Sequence, residues 1–203
     1  MSERARHWDD VYSRKAETDV SWFEATPERS LALIEHAGIS RSAPIIDIGG
    51  GLSHLAESLI DAGYTDVSVL DISAEAIRKL LASRPGVAIN GIVSDVTAWK
   101  PIRRYALWHD RAVLHFLTEE KDRAAYRAAL LSALMPRGHV IIATFALDGP
   151  EKCSGLPVRR YGRAELESFL GAEFTPVEDL AFEHVTPGGS VQRFHAGRFQ
   201  RRG

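Results

Sequence analysis

The stretch APIIDIGGGLSHLAESLIDAG, residues 43–63, decides the fold of this chain. It begins with an apolar run that ends near Asp47, continues with the three glycines 49–51, and then shows leucines at helical spacing. An apolar strand, a glycine turn and an amphipathic helix in this order are typical of the first unit of an open α/β sheet, in which a ligand binds at the turn. The identity of that ligand is the central question that the sequence raises.

The composition is that of a single globular domain over residues 1–203. Of the 203 residues, 45% are hydrophobic and 26% are charged, and the formal net charge is −2, so no positive field points to a nucleic-acid partner. The opening MSERARHWDD lacks the apolar segment of a secretory signal, and no run approaches the roughly 18 apolar residues that cross a bilayer. The single cysteine, Cys153, fits a reducing compartment. We therefore expect a cytoplasmic protein without a membrane partner, and the sequence does not indicate its oligomeric state.

Short apolar segments alternate with helical patterns, which predicts an α/β fold with a mainly parallel sheet. The predicted strands are residues 44–48, 66–71, 86–90, 104–109 and 139–147. The last of these, HVIIATFAL, is the longest and the most β-branched, as expected of a strand buried on both faces. Thr118 is predicted to cap the helix that precedes this strand.

The two ends of the chain depart from this alternation. After a helix near 163–170, the segments 174–185 and 190–199 flank the sequence TPGG. A Gly-Gly turn between two strands is typical of a hairpin, so we expect the sheet to close with an antiparallel strand. Residues 1–40 lie outside the sheet pattern and are predicted to form helices that cover a site as a lid.

The residues around the glycine turn discriminate among possible ligands. A phosphate-binding P-loop ends in Gly-Lys followed by Ser or Thr, and GGGLSHLA has no lysine at that place. A dinucleotide turn has the pattern G-x-G-x-x-G, in which the third glycine lets the helix pack closely on the strand. Gly49 and Gly51 fit this pattern, but His54 stands at the third place. The dinucleotide alternative is therefore weakened without being excluded.

The third alternative is a D-x-G-x-G turn, formed here by Asp47, Gly49 and Gly51, which resembles that of class I methyltransferases dependent on S-adenosylmethionine (SAM). This methyl donor carries an amino group and a sulfonium but no phosphate, so an acidic residue suits the turn. Asp71 follows Gly51 by 20 residues at the end of the second predicted strand. A carboxylate at this place can accept hydrogen bonds from both ribose hydroxyls, in NAD sites as well, so Asp71 alone does not discriminate.

Asp95, which follows the third predicted strand, favours the methyl donor. It resembles the acidic residue that receives the adenine amino group in these methyltransferases, in which the next residue, here Val96, packs on the ring. The likeness extends along nearly the whole chain. HWDDVYSRKAETDVSWF at 7–23 is similar to an opening found in bacterial members of the methyltransferase type 11/12 group, and LWHDRAVLHFL and GPEKCSGLPVRRY resemble blocks of a narrower bacterial subgroup.

The resemblance implies a Rossmann-like class I methyltransferase fold: a seven-stranded, mostly parallel sheet with an antiparallel last strand and helices on both faces. It also implies that the opening segment folds over the donor, where aromatic side chains would lie near the sulfonium cation. The predicted donor-binding residues are Trp8, Tyr12, Trp22, Asp47, Gly49, Gly50, Gly51, Asp71, Ile72, Asp95, Val96 and His109.

Acceptor residues are expected after the fourth and fifth strands. His109, Asp110 and His115 are the predicted catalytic residues, because a histidine or carboxylate there could take a proton from the acceptor. An alternative for Asp110 is a buried ion pair with the neighbouring Arg111. The alternative for His115 is a hydrogen-bonded histidine that supports the site without contacting the acceptor. The predicted substrate-binding residues are Arg111, Cys153, Ser154 and His184, and Gln192 flanks the final hairpin near them. No cysteine or histidine spacing suggests a metal.

These features predict a SAM-dependent methyltransferase that acts on a small-molecule acceptor and leaves S-adenosylhomocysteine (SAH). Protein-lysine methylation is the alternative within this class, because a similar opening occurs in eukaryotic enzymes of that kind. A nicotinamide-dependent oxidoreductase would need a small residue at position 54, and a non-catalytic SAM-binding protein would lack a usable acceptor site.

Overall fold

A seven-stranded sheet forms the centre of the computed structural model, which describes residues 2–83 and 85–203. The strands are β1 (Ile45–Ile48), β2 (Val67–Asp71), β3 (Ile89–Val93), β4 (Tyr105–Arg111), β5 (Leu134–Phe145), β6 (Lys152–Cys153), β7 (Leu156–Pro157), β8 (Phe174–Val185) and β9 (Val191–Arg201). The order in the large sheet is β3-β2-β1-β4-β5-β9-β8, while β6 and β7 form a separate small hairpin. The first five strands pair in parallel, and β9 is antiparallel to both β5 and β8.

The predicted fold class is confirmed, including the antiparallel last strand and the hairpin at TPGG. The antiparallel strand β9 does not lie at the edge of the sheet, since β8 occupies that position. The helices are α1 (Glu3–Arg14), α2 (Glu28–His36), α3 (Leu55–Asp61), α4 (Ala74–Ser83), α5 (Glu120–Ala133) and α6 (Arg163–Leu170), with short 3-10 turns at Glu17–Asp19 and Leu114–Phe116.

Helices cover both faces of the sheet because successive residues of its central strands point to opposite sides. On one face Ile46 and Trp108 pack against Tyr126 of α5 and Leu166 of α6. On the other face the core joins the sheet to α2, α3 and α4. This double burial explains why the central strands are almost wholly apolar, and it leaves the carboxyl ends of the parallel strands as the open edge.

Three of the predicted elements differ from the structure. The fifth strand is Leu134–Phe145 rather than 139–147. The third strand is Ile89–Val93 rather than 86–90, because Gly86 has φ +88° and belongs to the preceding turn. Gly91 lies within this strand, and a Cβ there would come within 2.7 Å of the Ile77 side chain of α4. Thr118 does not cap the next helix, which begins at Glu120 with Glu119 in the capping position.

Among the described residues, no helix combines the length and apolar character that a bilayer crossing requires. The same part of the chain contains no group of three or more histidine, cysteine or acidic side chains arranged to hold a metal ion.

Candidate active site

One cavity lies at the carboxyl ends of the parallel strands, beneath α1. It holds about 840 Å³ of empty space, part of it open to solvent. Its floor comes from the segments that follow successive strands: residues 48–49, 70–72, 94–96 and 111–113. The cavity therefore occupies the place where open α/β sheets bind ligands.

The glycine turn brings three parts of the chain into close approach. Gly49 has φ +66°, and a Cβ on it would come within 2.1 Å of Val113 Cγ2. Gly51 has φ +42°, and a Cβ there would come within 2.5 Å of Tyr12 Oη and 2.9 Å of Asp71 Oδ2. A Cβ on Gly50 would meet Asp47 Oδ2 at 2.4 Å. The turn thus requires glycine because of its φ angles and of the packing around it.

Gly49→Ala is expected to lower the free energy of unfolding by about 1–3 kcal/mol, because it combines backbone strain at positive φ with overlap at Val113. Denaturant unfolding measures this change. The double variant Gly49→Ala/Val113→Ala removes the overlap and keeps the strain. Its loss in the free energy of unfolding should therefore be smaller than the sum of the losses of the two single variants. Additive losses would show that the close approach to Val113 does not matter.

Asp71, the last residue of β2, is 4% exposed and lines the cavity. Its Oδ1 accepts a hydrogen bond from the backbone N–H of Ser73 at 2.8 Å. No cation is paired with it among residues 2–83 and 85–203. Burial, followed by the nearby carboxylates of Asp47 and Asp9, raises the pKa of Asp71 to about 7. The site therefore holds a carboxyl group that still lacks a partner for its negative charge.

Asp95, after β3, lies in the cavity wall and is held in place by its neighbours. Its Oδ1 accepts hydrogen bonds from the backbone N–H (2.9 Å) and hydroxyl (2.7 Å) of Thr97. Its Oδ2 faces Arg4 Nη1 at 3.3 Å, and the same guanidinium donates to Asp122 Oδ2 at 2.6 Å. Arg4 therefore ties α1 to the segment after β3 and to α5, a role that the sequence analysis did not predict.

Asp47 and His109 lie below the cavity rather than in its wall. His109 Nδ1 donates to the Asp47 carboxylate oxygen Oδ1 at 2.7 Å, and its Nε2 shares a hydrogen bond of 2.9 Å with the Ser30 hydroxyl of α2. Both side chains are about 2% exposed. Because both ring nitrogens are engaged, His109 joins β1, β4 and α2, and it is not among the residues that line the cavity. Its predicted roles as base and donor-binding residue gain no support from this position.

Asp110 is fully buried, and its carboxylate organises the turn after β4. It accepts hydrogen bonds from the backbone N–H groups of Val113 (2.7 Å) and Leu114 (3.0 Å) and from the Tyr126 hydroxyl (2.6 Å). Burial raises its pKa to about 6. Asp110 does not line the cavity, so this geometry indicates a structural role rather than that of a base.

Arg111 lines the cavity and pairs with the lid instead of with Asp110. Its Nη2 lies 3.0 Å from Glu24 Oε1, and its Nη1 donates to the carbonyl of Trp22 at 2.9 Å. The predicted alternative of an Asp110–Arg111 ion pair is wrong, because neighbouring residues of a strand point to opposite faces.

Aromatic side chains of the lid cover the cavity. The ring centroids of Trp8, Tyr12 and Trp22 are 5.8–6.3 Å apart, and all three rings line the cavity. Polar contacts hold α1 down: the Ser73 hydroxyl donates to Asp9 at 2.6 Å, and Lys79 Nζ donates to the Tyr12 carbonyl at 2.6 Å. The lid is shorter than the predicted residues 1–40. It ends soon after Trp22, because α2 packs on the sheet instead of covering the cavity.

The remaining residues predicted near the acceptor, which are catalytic His115, substrate-binding Cys153, Ser154 and His184, and Gln192 beside them, divide into two groups. His115 and Cys153 are buried and line the cavity, as does the half-buried Gln192. His184 lies behind the lid, where its Nε2 donates to the Ser21 carbonyl at 2.7 Å, and it does not reach this cavity. Ser154 sits in the turn between β6 and β7 with φ +49° and is also absent from the cavity wall.

We compared the chain with known protein families, curated proteins and solved structures. No family model matches the chain. A curated relative, the eEF1A lysine and N-terminal methyltransferase of Mus musculus, is 30% identical over 76 residues, which is 37% of this chain and 11% of that protein. The chain therefore spans only a small part of the length of this relative.

Two solved structures match over almost the whole chain. A SAM-dependent methyltransferase from Anabaena variabilis has a TM-score of 0.75 and 14% identity, covering 100% of this chain and 96% of that one. A second match is the 1,6-didemethyltoxoflavin-N1-methyltransferase of Burkholderia thailandensis, solved with 1,6-didemethyltoxoflavin and SAH. It has a TM-score of 0.71 and 22% identity, covering 98% of this chain and 84% of that one. The chain has the class I methyltransferase fold.

Several cavity residues were missed by the sequence analysis. Phe116, Phe145 and Phe194 line the half of the cavity beyond β4 and β5. Phe145 is the last residue of β5, so the rule that ligands lie at carboxyl strand ends could have found it. Phe194 lies in β9, and only the antiparallel pairing with β5, which sets it opposite Phe145, brings it to the site.

Proposed function

We propose that this protein is a SAM-dependent methyltransferase that acts on a small-molecule acceptor. The observation that carries the proposal is Asp71, a nearly buried carboxyl group at the end of β2, which faces a mainly apolar cavity without a cationic partner among the described residues. Vicinal ribose hydroxyls would supply the hydrogen bonds that such a carboxylate lacks.

The other walls of the cavity fit the rest of this donor. Asp95 and Val96 lie at the place where the adenine would be held, and Gly49 lies on the opposite side of the floor. The three lid aromatics, Trp8, Tyr12 and Trp22, present rings that attract a cation such as a sulfonium. When bound, SAM supplies a methyl group on a positively charged sulfur, which an acceptor atom attacks. The chain's own contribution is to align the two partners and to exclude water.

The surroundings of His54 argue against a dinucleotide. Its ring lies at the start of α3, with its centroid 5.8 Å from that of Phe23 and Nδ1 3.3 Å from the Glu57 carboxylate. A large, engaged side chain at this place is unlike the small residue that a dinucleotide turn requires.

A small-molecule acceptor fits the cavity better than a lysine side chain. In the described part of the chain, the acidic residues of the cavity wall are Asp71 and Asp95, and both lie in the donor half. The acceptor half therefore offers no carboxylate that would attract and orient an ammonium group. Protein-lysine methylation, which the name of the Mus musculus relative suggests, remains the competing proposal.

Calorimetric titration with SAM, SAH and NADH tests the donor. We expect SAM and SAH to bind with micromolar affinity and NADH to bind at least a hundredfold more weakly; the reverse order would overturn the proposal. Incubation with methyl-labelled SAM and either small acceptors or a lysine-containing peptide then tests the acceptor class.

The affinity for the donor is expected to fall at acid pH. The pKa of Asp71 is raised to about 7 in the donor-free protein, and ribose hydroxyls favour the ionised carboxylate. Binding therefore requires loss of a proton below that pKa, so the affinity for SAH should decrease by up to about tenfold per pH unit below pH 7. Titrations between about pH 5.5 and 8.5 measure this slope. In Asp71→Asn the slope should disappear, and a slope that persists would assign it to another group.

A further inference from the structure

The half of the cavity beyond β4 and β5 is apolar and aromatic. Phe116, Phe145, Phe194 and Cys153 form its walls, and all but Phe116 are more than nine-tenths buried. The Phe145 and Phe194 rings meet edge to face with their centroids 4.9 Å apart. Flat aromatic walls of this kind favour a planar, largely apolar occupant.

The charges near this half are already compensated within the chain. The guanidinium of Arg111 faces Glu24 at 3.0 Å and donates to the Trp22 carbonyl at 2.9 Å. Burial raises the pKa of the Cys153 thiol, which keeps it uncharged. An acceptor with a formal charge would therefore lose its hydration without meeting an unpaired opposite charge.

His115 is a polar group of this half, and both nitrogens of its ring lack a hydrogen-bond partner in the described protein. Its side chain is fully buried and lines the cavity. Its ring lies between those of Phe116 and Phe145, at centroid distances of 4.3 and 4.8 Å. Burial lowers the pKa of His115 to about 3. At neutral pH the ring is thus an uncharged imidazole that offers one donor and one acceptor.

Buried polar groups without partners are rare in proteins and destabilise the fold. Because the two ring nitrogens point in different directions, a polar group of a bound molecule would satisfy one of them, either the donor or the acceptor of the imidazole. The turn after β4 that carries His115 begins at Val113, whose side chain closely approaches Gly49, so this polar contact would lie near the donor half of the cavity.

We propose that the acceptor is an uncharged planar molecule whose nucleophilic N–H, O–H or S–H group hydrogen-bonds to the neutral imidazole of His115. This inference rests on the proposed function and defines its substrate class. In the transfer, the acceptor atom forms its bond to the methyl carbon as the methyl–sulfur bond breaks, the electron pair of that bond stays on sulfur, and the proton of the acceptor atom is released to water. His115 selects and orients the acceptor in its uncharged form rather than acting as a base that titrates near neutrality.

The test uses the full chain and begins with SAH. Binding of SAH must first be established, because its absence would overturn the proposed function itself. The SAH complex is then titrated with three uncharged probes, 2-naphthol, indazole and benzyl mercaptan, and with two charged ones, benzylamine and benzoate. We expect binding of at least one uncharged probe at millimolar concentration and none of the charged pair. Preference for a charged probe, or binding of none of the five, would overturn the inference.

His115→Phe and His139→Phe form a matched pair of variants. His139 is also a buried histidine with an unpartnered Nδ1, but it lies in β5 outside the cavity wall. Both variants should keep SAH affinity and have a Tm no lower than that of the wild type, since each removes an unpaired buried group. Only His115→Phe should weaken binding of the uncharged probe, by about tenfold, the effect of losing one hydrogen bond.

A second variant and the pH dependence exclude a purely structural role for His115. His115→Asn retains a donor and an acceptor and should recover part of the lost affinity. With SAH saturating, wild-type binding of 2-naphthol should be constant between about pH 5.5 and 8, because the imidazole stays neutral over that range. Unchanged probe affinity in His115→Phe, or a midpoint near pH 6.5 in the wild type, would overturn the assignment.

Discussion

Asp71→Ala is expected to weaken binding of SAM and SAH at least about a hundredfold. Hydrogen bonds to a charged group contribute about 1.5–3 kcal/mol each, so loss of two bonds to a ribose exceeds the roughly 2.7 kcal/mol that corresponds to a hundredfold change. The effect should be large because the carboxyl group is 4% exposed, and water cannot easily replace it as a partner. Calorimetry with SAH measures the change.

The stability of a second variant, Asp71→Asn, measured without the donor, distinguishes a lost contact from a damaged fold. The folded-state pKa of Asp71, about 7, lies above the unfolded value of roughly 3.9. Its contribution to stability is therefore complete below the unfolded pKa and is lost as pH rises through 7. At pH 8 the donor-free Asp71→Asn protein should thus be at least as stable as the wild type. A variant that keeps SAH affinity within threefold would contradict the ribose assignment.

Asp110→Ala is expected to lower the free energy of unfolding by about 3–5 kcal/mol, because it leaves three buried donors without an acceptor. These donors are the N–H groups of Val113 and Leu114 and the hydroxyl of Tyr126. Denaturant unfolding of the donor-free protein measures the loss. A loss of this size would support the assignment of Asp110 as a structural residue of the turn rather than a catalytic base.

Tyr126→Phe is the matched control for Asp110. It removes one of the three hydrogen bonds to the carboxylate and also the acceptor of the Trp108 indole N–H, which donates to Tyr126 at 2.9 Å. We expect a smaller loss, of about 1–2 kcal/mol. If Asp110→Ala were as stable as the wild type, the carboxylate would not be what holds the turn after β4.

The fold was predictable because its signals are local. Each central strand contains an apolar run, since it is covered on both faces, and the Gly-Gly turn marks the hairpin between β8 and β9. The shift of β3 by three residues was less accessible, because Gly91 interrupts the apolar pattern for a packing reason. The close approach of Ile77 to that glycine is a tertiary contact.

The candidate site was predictable only in its donor half. Asp71 ends β2 and Asp95 comes two residues after the end of β3, so their place at the open edge of the sheet results from the strand pattern alone. The roles of His109, Asp110 and Arg111 could not be inferred in the same way. These three neighbours alternate between the faces of β4, and each has partners from a different part of the chain.

The sequence by itself determined the parallel sheet, the glycine turn after β1 and the two carboxylates beside it, because these depend on residue order along single strands and turns. Only the tertiary structure decided which polar groups are satisfied within the protein. Ser30 of α2 engages His109, Tyr126 of α5 engages Asp110, and Glu24 of the lid engages Arg111. His115 received no such partner, since aromatic rings surround it. Long-range packing therefore left this histidine in the cavity wall with both ring nitrogens free to contact an acceptor.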